Sequence, residues 1–156
     1  MPSKTKKQSI LVPVDFSPHS EAALLCAAEL AEVLELPLMI LHVVHDLGQA
    51  PGYYAIKGRK KHLARMEDVA ANMLDEFMRK LRQKFPRGQS LKDAQTMLVL
   101  GLPVNRILET ATRLNARMII MGSMGRTGIP HVLLGSKAEQ VVRLSPIPVM
   151  VVKEQS

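Results

Sequence analysis

The stretch RMIIMGSMGRTG, residues 117–128, runs from an apolar segment directly into a loop that contains three glycines. Residues 117–121 are apolar after the first position, which is typical of an interior strand in a parallel sheet. Residues 122–135 have the composition of a loop, and residues 136–144 then have the spacing of a short helix. A strand that leads through such a loop into a helix is the repeating unit of α/β folds.

The same alternation of strand and helix extends over the rest of the chain. Short apolar runs rich in branched residues predict strands, and apolar residues at helical spacing predict helices. Ser17 and Pro18 predict the start of the first helix, because serine is a favoured N-cap and proline a favoured first helical residue. The predicted strands are 9–14, 38–44, 94–100, 117–121 and 148–153, and the predicted helices are 18–36, 62–85, 104–114 and 136–144. Strict alternation predicts an open five-stranded parallel sheet with helices on both faces, which is a Rossmann-like α/β fold.

The composition is that of one globular domain. With 156 residues, of which 47% are hydrophobic, the chain can build one core, so residues 1–156 are predicted to form a single domain. We expect residues 1–8 to be flexible and residues 45–60, which lack periodicity, to form a long loop. No apolar run approaches the roughly 20 residues of a membrane helix, and the lone Cys26 fits a reducing compartment. These features predict a cytoplasmic protein.

The net charge of +7 is concentrated in one segment. Residues 57–92 contain eleven Lys and Arg against four acids, so this segment carries the whole excess, since 11 − 4 equals the net charge. One interpretation is a solvated helix face with its flanking loops. The other is a surface that attracts phosphate-rich or acidic partners, although the few aromatic residues argue against stacking on nucleic-acid bases.

The alternating pattern also predicts where a ligand would bind. In open α/β sheets the site lies beyond the carboxyl ends of the strands, where the winding order reverses. The candidate positions therefore follow the strands, at Asp15, 43–45, Gly101 and Gly122 onward. Glycines let backbone N–H groups approach a phosphate, and the loop ends at a helix N-terminus, which favours an anion.

Two common phosphate-binding patterns are absent from this loop. The dinucleotide pattern G-x-G-x-x-G fails because Gly122 and Gly125 are three residues apart. The P-loop pattern fails because Gly135 is followed by Ser136 and Lys137 in the reverse order, with Pro130 where the first glycine would be. The sequence therefore excludes a Rossmann dehydrogenase and a P-loop NTPase by motif.

The spacing that does occur is Gly-x2-Gly-x9-Gly-Ser, formed by Gly122, Gly125, Gly135 and Ser136. This spacing resembles the ATP-binding signature of the universal stress protein family, whose fold is of the adenine nucleotide alpha hydrolase-like type. The resemblance covers nearly the whole chain and is weakest over residues 45–95. It is carried by residues 10–17 (ILVPVDFS), 41–44 (LHVV), 101–103 (GLP), 116–123 (ARMIIMGS), 132–136 (VLLGS) and 146–152 (PIPVMVV).

The resemblance implies ATP as the ligand, with Mg²⁺ as a possible companion, and assigns a role to each matching position. Asp15 would hydrogen-bond the nucleoside, with Pro13 and Val14 beside it, and Val43 would contact the adenine through its backbone. Met121 and Gly122 would line the ribose. The phosphates would be bound by Gly122, Gly125, Gly135 and Ser136.

Two cations near the loop could add phosphate contacts. Lys137 stands where the family commonly has a small apolar residue and could reach a terminal phosphate, and Arg126 could clamp another. Both could equally be solvated surface residues. Asp15 could instead cap the turn into the first helix, and Ser136 with Glu139 forms an S-x-x-E capping box, which predicts a purely structural role for the serine.

The expected function is that of an ATP-binding regulatory or stress-response protein without fast turnover, because the sequence shows no catalytic set. One alternative is a slow ATPase or a phospho- or nucleotidyl transferase. Another is an interaction module that uses the basic segment 57–92. The last strand, 148–153, is apolar and predicted to lie at a sheet edge, and the resemblance implies a two-fold homodimer paired through it.

Overall fold

The computed structural model describes residues 7–45, 59–125 and 133–155, with only the backbone described for 59–64. The expected flexible segment 1–8 and the loop 45–60 therefore fall mostly outside the described residues. The secondary-structure elements are β1 (Ser9–Pro13), α1 (Pro18–Leu34), β2 (Leu38–Val44), α2 (Arg59–Lys84), α3 (Gln89–Asp93), β3 (Gln95–Leu100), α4 (Pro103–Arg113), β4 (Ala116–Gly122), α5 (Ser136–Leu144) and β5 (Val149–Val152).

The five strands form one parallel sheet in the order β3-β2-β1-β4-β5. The predicted open five-stranded parallel sheet is thus confirmed, and β5 lies at an edge. The chain first winds outward from β1 to β3 and then crosses back to β4 on the other side of β1. The winding order therefore reverses between β1 and β4.

The helices cover both faces of the sheet, as predicted. On one face, α1, α2 and α3 bury a cluster that includes Ile10, Val12, Leu24 and Met78. On the other face, α4 and α5 bury a cluster around Leu11. Successive residues of β1 thus point to opposite cores, and both clusters contain fully buried side chains. Burial on both faces explains why residues 10–13 of this strand are all apolar.

The start of α1 follows the sequence prediction. Ser17 has an extended backbone, and its hydroxyl accepts a hydrogen bond of 3.2 Å from the backbone N–H of Ser20. Pro18 occupies the first turn, where its missing N–H is not needed. The helix ends at Leu34, and Glu35 adopts the left-handed conformation after it. The local sequence therefore fixes the point at which the chain leaves β1 and enters the helix.

Most predicted elements differ from the observed ones by one or two residues at their ends, and two differences are larger. Helix α2 begins at Arg59, so the last residues of the predicted loop 45–60 are helical. Its first residues are mostly basic, and the apolar spacing that predicted a helix only begins further along. The short α3 was not predicted, because Gly88 at its N-cap offers no side-chain hydrogen bond and only Leu91 is buried. Its formation depends on packing that the sequence pattern does not report.

Within the described ranges 7–45, 59–125 and 133–155, no helix combines the length and the apolar character that crossing a membrane would require.

Candidate functional site

The carboxyl ends of β1 and β4 lie side by side at the point where the winding order reverses. In an open α/β sheet this is where a crevice forms, because the chain leaves the two strands toward opposite faces. Asp15 follows β1, and Ser123 to Gly125 follow β4. The structure therefore brings the predicted aspartate and the beginning of the predicted glycine-rich loop to one place.

The two carboxylate oxygens of Asp15 have different surroundings. Oδ1 accepts a hydrogen bond of 3.0 Å from the backbone N–H of Ser17, which closes the turn into α1. Oδ2 lies 3.1 Å from the position that a β-carbon on Gly125 would occupy. The turn-capping role is thus present, and it leaves one acceptor oxygen turned toward the glycine-rich loop.

Pro13 and Val14 form a buried wall beside Asp15. The backbone N–H of Val14 donates to the carbonyl of Leu41 at 2.8 Å, and the carbonyl of Val14 lies 2.8 Å from Nδ1 of His42. Pro13 has no N–H to offer. Since the protein itself uses the hydrogen-bonding groups of Val14, Asp15 is the residue of this segment with an oxygen directed at the crevice.

Gly122, the last residue of β4, is required by packing. A β-carbon there would lie 2.7 Å from the carbonyl carbon and 2.9 Å from the carbonyl oxygen of His19. These are backbone atoms of α1, which cannot turn aside as a flexible side chain would. The glycine therefore permits the close approach of α1 to β4, whether or not a phosphate is bound.

Gly125 and Gly135 stand at the two ends of the loop. The N–H of Gly135 donates to the carbonyl of Ser123 at 2.6 Å, and a β-carbon on Gly135 would lie 3.3 Å from the Cα of Met124. Neither glycine has a positive φ, so both are used for space and not for a left-handed backbone. This contact brings the end of the loop, and hence the start of α5, next to the end of β4.

The predicted capping box at α5 is wrong. Gly135, with φ −67° and ψ 153°, is the N-cap, and no side chain caps the helix. Ser136 is already the first helical residue, so its hydroxyl is not in the N-cap position. The carboxylate of Glu139 accepts instead from Arg143, at 2.6 Å. Within residues 7–45, 59–125 and 133–155, no side chain is hydrogen-bonded to the N–H groups of this first turn, which is the usual character of an anion site.

Of the two cations predicted near the loop, the structure describes Lys137 and does not describe Arg126. Ser136 and Lys137 are both exposed in the first turn of α5, where a ligand could reach them. Arg126 lies outside the described residues, as do Gly128 and the rest of the loop from 126 to 132. The structure therefore places the ends of the loop and leaves the role of Arg126 a prediction.

Val43 and Met121 lie on the strands that flank β1. Val43, in β2, is half-buried and Met121, in β4, is 7% exposed, and both pack with the cluster under α4 and α5. Their side chains therefore belong mainly to the core, and the predicted contacts of Val43 and Met121 with a ligand stay predictions. Among the residues that the structure describes, no group of three or more His, Cys, Asp or Glu is placed to hold a metal ion.

Sequence reasoning missed Phe16 and His42. Phe16 has a positive φ of 66°, and its ring centroid lies 4.4 Å from that of His42. A polar residue inside the apolar strand LMILHVV was the available signal for His42. No feature of the sequence indicated the backbone conformation of Phe16, because a positive φ is not expected of an aromatic residue.

Three cations of the basic segment pair with acids of the chain. Arg79 forms two hydrogen bonds to Glu76, of 2.9 and 2.7 Å, and Lys80 lies 3.6 Å from the same carboxylate. The hydrogen bonds from Arg79 lower the pKa of Glu76 to about 2. Lys84 pairs with Glu21 of α1 at 2.9 Å. These three pairs lie on the exposed surface of α2, as the interpretation of a solvated helix face expects.

Arg82 of the same segment has a structural role. Its guanidinium donates to the carbonyl of Leu91 at 2.9 Å and to the carbonyl of Ala94 at 3.4 Å. These bonds join α2 to the end of α3 and the start of β3. The cation therefore stabilises a connection that the sequence pattern did not predict.

Comparison with known proteins gives consistent results. The model of the universal stress protein family matches residues 7–153. Universal stress protein MJ0577 of Methanocaldococcus jannaschii is 28% identical over 159 aligned positions, which cover 96% of each chain. The structure of universal stress protein UspA from Lactobacillus plantarum superposes with a TM-score of 0.76 at 28% identity, covering 96% of this chain and 99% of that one.

A universal stress protein from Archaeoglobus fulgidus in complex with dAMP superposes with a TM-score of 0.58 at 22% identity. The superposition covers 96% of this chain and 100% of that one. This superposition shows that the two proteins share a fold.

Proposed function

Because this chain belongs to the universal stress protein family, we propose that it binds ATP in the crevice between β1 and β4 and acts as a regulatory, stress-response protein without fast turnover. The observation that carries the proposal is the position of Asp15 Oδ2, 3.1 Å from where a side chain on Gly125 would begin. This oxygen faces Gly125, a loop residue without a side chain, and the loop leads to a helix whose N-cap, Gly135, makes no side-chain hydrogen bond.

The nucleoside end of the proposed site is built around Asp15. A carboxylate only accepts hydrogen bonds, so its partner on the ligand must be a donor, such as a ribose hydroxyl or an amino group. Val43 of β2 is proposed to contact the base through its backbone, and Met121 of β4 is proposed to line the ribose. One directed polar group beside apolar residues is typical of small-molecule sites.

The phosphate end is proposed at α5. The free N–H groups of its first turn and the helix dipole favour an anion. We propose that the exposed Ser136 adds a hydroxyl donor, that the exposed Lys137 adds a positive charge, and that Arg126 adds another. Asp15 is the acid at the crevice, so Mg²⁺ would be held mainly by the phosphates themselves, as this ion often is.

The archaeal protein solved with dAMP supports the choice of an adenine nucleotide, since its fold is that of this chain. The proposal of ATP goes beyond that ligand and depends on the glycine spacing of residues 122–136. Three phosphates reach further along the loop than one, toward the first turn of α5. We therefore expect the affinity for ATP to exceed that for AMP.

Calorimetric titration of the purified protein with ATP, ADP and AMP tests the proposal. Mass spectrometry of the nucleotide released on heat denaturation would identify the ligand carried through purification. Absence of ATP binding would contradict the proposed function. Hydrolysis with Mg²⁺ near the median enzyme rate of about 10 per second would instead replace the regulatory interpretation with an enzymatic one.

Lys137 gives a test of the terminal phosphate. If its ammonium contacts the γ-phosphate, Lys137→Ala should weaken ATP binding by about tenfold, the equivalent of about 1.4 kcal/mol, and leave ADP binding unchanged. The matched control is Lys153→Ala, which removes an exposed lysine after β5. Equal losses of affinity for ATP and ADP would indicate that Lys137 contacts the α- or β-phosphate, or that it contributes only to the positive electrostatic potential of the site.

We also propose a homodimer that pairs through β5. This strand lies at the sheet edge, where no strand of the described residues pairs with the outer side of its backbone. Its four residues are half-buried, and the adjacent α5 exposes Val142 and Leu144 by 46% and 58%. A second copy would pair with this edge and cover exposed apolar side chains near it.

A further inference from the structure

A single side chain contacts both residues that flank Asp15. Nδ1 of His42 lies 2.8 Å from the carbonyl oxygen of Val14, and its ring packs on Phe16 with the centroids 4.4 Å apart and the planes tilted by 31°. A carbonyl oxygen only accepts, so Nδ1 carries the proton and donates it to Val14. His42 therefore contacts the backbone of Val14, which precedes Asp15, and the side chain of Phe16, which follows it.

The residue after Asp15 is in an unfavourable backbone conformation. Phe16 has a φ of 66°, in the left-handed region that aromatic residues rarely occupy. Strain of this kind persists only where the surroundings hold it, and it concentrates at functional sites. Here the ring of Phe16 is held between His42 and Phe77, whose centroid lies 5.5 Å away in an edge-to-face arrangement.

The consequence of this conformation is the direction of the Asp15 carboxylate. The turn through Phe16 places the N–H of Ser17 3.0 Å from Oδ1, which leaves Oδ2 facing Gly125. A relaxed Phe16 would move Ser17 and release the carboxylate from this orientation. The two contacts of His42 thus act on the two backbone segments that determine where Asp15 points.

We infer that His42 is a positioning residue of the nucleotide site, which orients Asp15 toward the ligand through Val14 and Phe16. The inference rests on the proposed function, because the ligand in question is the nucleotide held by Asp15. His42 itself need not touch the ligand. Its effect on affinity should therefore depend on Asp15.

Two substitutions separate the two contacts of His42. His42→Asn keeps an N–H donor at nearly the position of Nδ1 and removes the ring. His42→Phe keeps a ring against Phe16 and removes the donor. We expect His42→Phe to weaken ATP binding by about tenfold and His42→Asn to retain more of the wild-type affinity, because the bond to Val14 fixes the backbone directly.

A double-mutant cycle with Asp15→Asn distinguishes positioning from a merely structural role. Asparagine can still accept from Ser17, so the turn is retained while the second carboxylate oxygen is lost. If His42 acts through Asp15, adding His42→Phe to Asp15→Asn should cost little further affinity. Independent effects would instead multiply to about a hundredfold. Urea unfolding of each variant confirms that affinities are compared between folded proteins.

The outcomes separate this inference from the proposed function. Failure of the wild-type protein to bind ATP would overturn both. Wild-type affinity in a folded His42→Phe variant, or multiplicative losses in the cycle, would overturn the positioning role alone. Nitrogen NMR of the His42 imidazole gives a readout without ligand: a proton on Nδ1 supports the contact with Val14, and an unprotonated Nδ1 contradicts it.

Discussion

The backbone carbonyl carbon of His19 lies 2.7 Å from the position that a β-carbon on Gly122 would occupy. Real β-carbons do not approach other heavy atoms so closely, so α1 could not pack on β4 as it does if any other residue stood at 122. By contrast, the one neighbour among the described residues that a β-carbon on Gly125 would meet is Oδ2 of Asp15, at 3.1 Å. Gly122 is therefore required for the packing of α1 on β4, whereas Gly125 leaves space in front of Asp15. Substitutions at the two positions should have different effects.

Replacing Gly122 with alanine should destabilise the fold. The added methyl would press on the backbone of α1, and overpacking of this kind costs about 1–3 kcal/mol. Urea unfolding of Gly122→Ala and the wild type measures the difference. A loss of less than about 0.5 kcal/mol, the usual range of neutral surface changes, would show that α1 can move away at little cost. Loss of ATP binding in this variant would not by itself identify a phosphate contact.

Replacing Gly125 with alanine should affect binding and spare stability. Gly125 is exposed and has no positive φ, so alanine can adopt its backbone conformation. The new methyl would occupy the space in front of Asp15 Oδ2 and weaken ATP binding by about tenfold or more. Calorimetry on a variant with a wild-type unfolding curve is the measurement. Unchanged ATP affinity would remove Asp15 and Gly125 from the site.

Replacing Ser136 with alanine should leave stability nearly unchanged. Ser136 is the first helical residue and its side chain is exposed, so no capping bond is lost. We expect the free energy of unfolding to change by less than about 0.5 kcal/mol. Loss of an N-cap serine would instead lower it by about 1 kcal/mol. Thermal unfolding decides between these values. Ser17→Ala is the matched control, because Ser17 does cap α1 and its loss should show the larger cost.

Replacing Val151 with lysine should convert a dimer to a monomer. Of the four β5 residues, Val149 packs against one core cluster and Met150 and Val152 against the other, whereas Val151 belongs to neither. A charge at this position would oppose pairing of two edges with limited damage to the core. Light scattering at micromolar concentration gives the mass.

The control for dimerisation is Gln95→Lys, which places a lysine at an exposed position of β3, on the opposite edge of the sheet. This variant should remain dimeric. A wild-type protein that is monomeric at the same concentration would contradict the dimer.

The N-termini of α1 and α5 show how far local sequence reasoning extends. At Ser17, the N-cap serine followed by proline predicted the observed cap, because both signals refer to the same residue positions. At α5, the pattern S-x-x-E predicted a cap at Ser136, but the close contact between Gly135 and Ser123 places the N-cap one residue earlier. A long-range backbone bond thus outweighed a local pattern.

The sequence by itself determined the α/β class, the five parallel strands and the return of Asp15 and the glycine-rich loop to one end of the sheet. Hydrophobic periodicity and strand–helix alternation are local properties, and the rules of parallel connection turn them into a topology. The tertiary structure alone decided that Gly122 serves the packing of α1, and that His42 reaches the residues on both sides of Asp15. These relationships join residues of different elements at distances of a few ångströms, and the periodicity of one segment carries no information about them.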